Sequence, residues 1–208
     1  VVRRVENHPV NINNKKVEVP EPTTLSSIIR RYVSYWRSIG FPENRLAELY
    51  GEHFHTLSAA EGRIPTRLTQ QALTEITQVY QDPTIPFKTG LVCSFPSLTA
   101  FGHLLLTCPT MRDFIVMAIR FHHISTQGYQ ALLNEGDLIS SYDLIVPSYS
   151  DFNHLQIELN IGAILKLVGE VLDYSEFSLE VHFRHQNEAL KNASKKLTAT
   201  NLLFGQDQ

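Results

Sequence analysis

The chain has 208 residues, of which 43% are hydrophobic and 19% charged, and carries a formal net charge of −3. Those proportions suit a folded globular protein and exclude wholesale disorder, and no apolar run approaches the ~18 residues of a membrane-crossing helix. The acidic balance, with the basic pairs Arg3-Arg4, Lys15-Lys16, Arg30-Arg31 and Lys195-Lys196 scattered among acids, leaves no electrostatic footprint for nucleic acid.

Residues 1–22 contain Pro9, Pro20 and Pro22 without sustained periodicity, and read as an extended or flexible arm. Residues 23–208 read as one domain. From Thr23 or Thr24 the pattern turns helical, with Leu25, Ile28, Ile29, Tyr32, Trp36 and Ile39 on one face, Gly40 closing the helix and Pro42 beyond it. Trp36, the only tryptophan, is expected in the core. A short helix over Glu43 to Tyr50 and a polar link from His53 to Gly62 follow. Ile64-Pro65-Thr66 then opens a helix whose inner face is Leu68, Ala72, Leu73, Ile76, Val79 and Tyr80.

Asp82-Pro83 stops that helix, and Pro86, Gly90 and Pro96 keep the next stretch to short pieces. Residues 98–124 read as two helices broken at Cys108-Pro109, because a residue before proline is pushed out of the helical region. Thr110 and Asp113 form a capping box for the second, in which Met111, Phe114, Ile115, Ala118, Ile119 and His122 share a buried stripe.

After Ile124 the texture changes. Gly128 to Glu135 and Asp137 to Val146 flank Gly136 and predict a hairpin with a tight glycine turn, Leu138, Ser140, Tyr142, Leu144 and Val146 sharing a face. Asn153 to Leu172 predicts about five turns of helix with Ile157, Ile161, Ile164, Leu165, Val168, Val171 and Leu172 on one side. Glu176 to Arg184 alternates as a strand, and Asn187 to Lys196 reads as a last helix. Leu202-Leu203-Phe204-Gly205 leaves no room for a further element, so the chain reads as cut at its C-terminus. The fold class is therefore α+β, an N-terminal helical part followed by a small, mainly antiparallel sheet packed on helices.

Chemistry-bearing motifs are sparse. The nine histidines and two cysteines show no metal-ligand spacing, and no nucleophile elbow, phosphate loop or dinucleotide glycine pattern occurs. No metal, cofactor or catalytic residue is expected, and the chain does not read as an enzyme. Two cysteines and the lack of a signal-peptide layout point to a reducing cytoplasm. Arg120, His122, Tyr142 and His154 flank the helix-to-sheet junction and are the candidate ligand-binding residues, a few polar groups in apolar surroundings.

The run Gly102-His-Leu-Leu-Leu-Thr-Cys-Pro-Thr-Met-Arg-Asp-Phe114 resembles the arabinose-binding-type N-terminal domain of AraC/XylS-family transcription regulators. So do Ile64-Pro65, Asp82-Pro83 through Phe87 and Gly90, and Leu179-Glu-Val-His-Phe-Arg-His185. The resemblance spans about Tyr35 to Phe204, while the family's usual ending is half present, as Leu203-Phe204-Gly205. It implies a bacterial domain that senses a small-molecule effector and dimerises, attached to a DNA-binding domain with two helix-turn-helix motifs that this chain lacks. It transfers no ligand residue. The apolar helices before Gly40 and after Asn153 are two candidate dimer surfaces. A haem-based gas sensor using His122 or His123, or a stand-alone small-molecule-binding protein or enzyme, is the alternative.

Overall fold

The computed structural model describes residues 20–59, 62–136, 140–146, 153–171, 179–197 and 200–206, so of the expected N-terminal arm only residues 20–22 fall within it. Where the pattern predicts helix from Thr23 or Thr24, Thr23–Leu25 is a short strand, β1, paired antiparallel with β2 (Arg63–Pro65). The cause lies 40 residues away. Arg63 donates to the Thr23 hydroxyl (2.6 Å) and carbonyl (3.1 Å) and to the carbonyl of Ile124 (2.7 Å), tying both strands to the end of a later helix.

Helix α1 (Ser26–Ser38) buries Ile28, Ile29, Tyr32, Val33 and Trp36, and Gly40 follows it at φ +94°. The Trp36 indole N–H donates to the Thr89 hydroxyl at 2.9 Å, so the ring is both packed and satisfied. Helix α2 (Glu43–Tyr50) runs as expected, but the predicted polar link is mostly a 3-10 turn, Gly51–Ser58. Helix α3 (Thr66–Tyr80) buries Leu68, Ala72, Leu73 and Ile76, while Val79 and Tyr80 are exposed, because the helix outruns the core at its C-terminal end.

Helix α4 (Ile85–Gly90), a 3-10 turn at Phe95–Leu98, α5 (Ala100–Leu106) and α6 (Met111–Ser125) follow. The break at Cys108-Pro109 is present, and the Thr110 hydroxyl accepts from the Asp113 N–H at 3.1 Å, as the capping box requires. Of the expected α6 stripe, Phe114 is buried, and Met111, Ile115 and Ala118 pack against the core at its edge.

Strands β3 (Gln130–Asn134) and β4 (Ser141–Ile145) form the hairpin, but Asn134 pairs with Ser141, whereas a turn centred on Gly136 would pair it with Leu138. This register sets Leu133 opposite Tyr142 and Ala131 opposite Leu144 on one face, while Leu132 and Ile145 on the other face are exposed. Leu138 lies outside the described residues.

Helix α7 (His154–Val171) is capped by Asn153, whose side-chain oxygen accepts from the Gln156 N–H at 3.1 Å. It is apolar on two sides rather than one. Ile157, Ile161 and Leu165 face a small second core, while Leu155, Leu159, Ala163 and Leu167 face the main one; Val171 is exposed, and Leu172 is outside the described residues.

The second core is built on β5 (Glu180–Phe183), α8 (Glu188–Leu197) and β6 (Asn201–Phe204). The strand expected to open at Glu176 is described from Glu180 on. Asn201–Phe204, where no element was expected, pairs in parallel with β5, and the Phe183 and Phe204 rings stack at 4.7 Å. Among the described residues the strands form three two-stranded ladders, so the α+β class holds while the hairpin and β5 lie in separate ladders.

Helices α4 and α7 cross backbone to backbone. A Cβ on Gly90 would stand 2.1 Å from the Leu159 carbonyl oxygen, and one on Gly162 would stand 2.4 Å from that of Phe87. Both obstacles are main chain and cannot rotate away. Gly90→Ala and Gly162→Ala are each expected to destabilise the chain by about 3 kcal/mol, read as a fall of roughly 6–12 °C in melting temperature. An alanine melting within a degree of the parent would show that the crossing has slack.

Candidate functional site

The end of α6 and the start of the hairpin are held together by His122. Its Nδ1 lies 2.8 Å from the Ile119 carbonyl oxygen and its Nε2 3.1 Å from that of Tyr129, and its ring stacks on Tyr129 at a centroid distance of 4.6 Å. A neutral imidazole donates through only one nitrogen, so the tautomer decides which carbonyl is bonded. Both nitrogens face carbonyl oxygens, and neighbouring His123 is exposed. Among the described residues no three His, Cys, Asp or Glu side chains gather as metal ligands.

Tyr129 brings His122 to a group of phenols that includes Tyr32 and Tyr50 of the main core. Burial, with the nearby Tyr142 hydroxyl and Cys93 thiol, pushes the Tyr129 pKa well above its ordinary value. Tyr32 on α1 is raised in the same way, by burial first and then by Cys93, Tyr129 and Tyr50. Burial raises Tyr50, on α2, against the opposing effect of its contact with Thr69, and lifts half-buried Tyr142 to about 12. Burial also raises the Cys93 thiol, despite the hydroxyl of Ser97 3.7 Å away. At neutral pH these groups stay protonated, a set of uncharged donors rather than bases or nucleophiles.

The four sequence candidates do not form one cluster. His122 and Tyr142 meet this group through Tyr129. Arg120 is exposed, its guanidinium 5.3 Å over the ring of Phe121. His154, the exposed first residue of α7, has its ring 5.4 Å from that of His185 and belongs with a second polar group.

That second group centres on Glu158, which is fully buried on α7. Its Oε1 accepts from Asn187 Nδ2 (2.8 Å) and lies 2.8 Å from His185 Nε2. Asn187 also donates to the Pro83 carbonyl at 3.0 Å and caps α8 by accepting from the Leu190 N–H at 3.0 Å. One carboxylate oxygen thus binds α7 to the chain between β5 and α8. Gln156 and Asn160 flank it on the same helix, also buried.

Sequence reasoning missed Tyr129, Glu158, Gln156 and Asn160. A signal for the last three exists: α7 carries two apolar stripes, so a polar residue between them has nowhere to reach solvent. Apart from these groups, a hollow of about 380 Å³ between α2 and α3 is lined by Leu49, Gln70, Gln71, Thr74, Glu75 and Gln78 and includes no candidate residue.

Over residues 40–208 the sequence matches the family described as the arabinose-binding domain of AraC transcription regulators, N-terminal. The chain belongs to that family, whose members are regulatory ligand-binding domains rather than enzymes. Comparison with individually characterised proteins finds no significant match. No helix among the described residues is long and apolar enough to cross a membrane.

The phenols make the fold sensitive to alkali. A tyrosine whose pKa is raised on folding holds its proton in the native state while the unfolded chain loses it, so its contribution to stability is intact below about pH 10 and is lost as pH rises towards 12. Absorbance at 295 nm is expected to show a late-ionising class of tyrosines, and Tyr142→Phe to remove one member of it. If all eight tyrosines titrate together near pH 10, the phenols are not enclosed as described.

Proposed function

We propose that this chain is the effector-binding and dimerisation domain of a bacterial AraC-family regulator, working in the cytoplasm and controlling an attached DNA-binding domain through a change of conformation. The family match over residues 40–208 carries the reading. The net charge of −3 supports it from another side, since phosphate contacts would fall to another domain. In this reading residues 1–22 are an arm and residues 23–208 one sensing domain.

The packing of α7 supplies a route for the signal. One face of the helix lies against the main core, where the protonated phenols are, and Glu158 on the other side binds the chain between β5 and α8. An effector that binds one position of α7 more tightly than another shifts the population between them, and the β5–α8–β6 unit moves with it.

Two measurements test the reading. Light scattering is expected to give about twice 23.7 kDa, and a monomer at high concentration would remove the dimer from the proposal. An effector present at a hundredfold excess over its Kd should stabilise the domain by about 2.7 kcal/mol, and at that concentration should change the affinity of the full-length regulator for its promoter. A ligand that stabilises the domain and leaves DNA affinity untouched would remove the allosteric step.

A further inference from the structure

Gln156, Asn160, Ala163 and Leu167 stand at i, i+4, i+7 and i+11 along α7, one stripe of the helix. Ala163 and Leu167 belong to the main core, so the two amides are directed there and away from the second core that Ile157, Ile161 and Leu165 face. Gln156 is 1% exposed and Asn160 7%. The Oε1 of Gln156 and the Nδ2 of Asn160 are nevertheless buried without a hydrogen-bond partner.

A buried amide group left unpaired costs about 1–3 kcal/mol, and a leucine or methionine in its place would remove that cost. The helix does not need these side chains to form: the cap at its start is made by Asn153, and the Gln156 bond to that cap uses only the backbone N–H. One unpaired acceptor and one unpaired donor thus stand a turn apart on one buried stripe.

We propose that Gln156 and Asn160 are ligand-contacting residues of the effector site. They take an uncharged segment that both donates and accepts hydrogen bonds, such as a vicinal diol or a carboxamide. This assignment rests on the effector-binding reading above. Gln156 offers an unpaired acceptor and Asn160 an unpaired donor, and i, i+4 positions stand about 5–6 Å apart, a span that adjacent hydroxyls can bridge. A charged ligand does not suit the stripe. Its neighbours Leu155, Leu159, Ala163 and Leu167 are apolar, and the one buried carboxylate of α7, Glu158, binds Asn187 and His185 through Oε1 on the far side of the helix, its Oε2 unpaired there.

The test compares the parent chain with Gln156→Met and Asn160→Leu in thermal melts, with a neutral arm of L-arabinose, ribitol and nicotinamide and a charged arm of L-ornithine and citrate. The proposal expects the ligand-free variants to melt at or above the parent temperature. It also expects a neutral probe to stabilise the parent, with a midpoint concentration about tenfold higher in each variant, the loss of one buried hydrogen bond. If both ligand-free variants melt several degrees lower or fail to fold, the amides are structural and the proposal falls. If a neutral probe acts equally on parent and variants, or only the charged arm acts, this assignment falls while the effector-binding reading stands. If neither arm acts on the parent, the assignment falls, and the effector-binding reading is left to the light-scattering and promoter measurements.

Discussion

Everything in the C-terminal half hangs on the crossing of α4 and α7. At Gly90 and Gly162 the two backbones approach to a distance that admits no side chain on either helix. Close approach of this kind brings main-chain atoms into contact along a whole helical turn and leaves α7 flanked by core on both sides. Such a helix turns polar residues to water only towards its ends, at His154, Lys166 and Glu170. Between them, Glu158 finds Asn187 and His185 for one of its oxygens, while its Oε2, Gln156 Oε1 and Asn160 Nδ2 stay unpaired.

The polar groups of the interior divide by charge. Four phenols, Tyr32 on α1, Tyr50 on α2, Tyr129 before β3 and Tyr142 on β4, are held protonated mainly by burial and so are uncharged at neutral pH. The buried carboxylate of α7 lies on the other side, where it serves the join to β5 and α8. That separation suits desolvation, because an isolated ion among the buried phenols would be costly.

Much of the helical framework was legible because it rests on local rules. Pro109 with Thr110 and Asp113 marks the start of α6, the stripe from Ile28 to Trp36 marks α1, and Gly40 its end, each through backbone geometry within a few residues. The strands were harder to read. Thr23–Leu25 is extended because Arg63 and β2 wait for it, and Asn201–Phe204 is a strand because β5 offers an edge. Among the candidate residues, His122 and Tyr142 fall near one another only through Tyr129, which carried no mark of its own in the sequence.

By itself the sequence determined most of the long helices, the α+β class and the family, since propensity, capping chemistry and motif spacing are written over short stretches of chain. Only the tertiary structure decided the hairpin register, the parallel β5–β6 ladder and the enclosure of Gln156, Glu158 and Asn160. Those depend on which surfaces meet, and contacts between residues far apart in the chain are set by the summed packing of the whole, which no local pattern encodes.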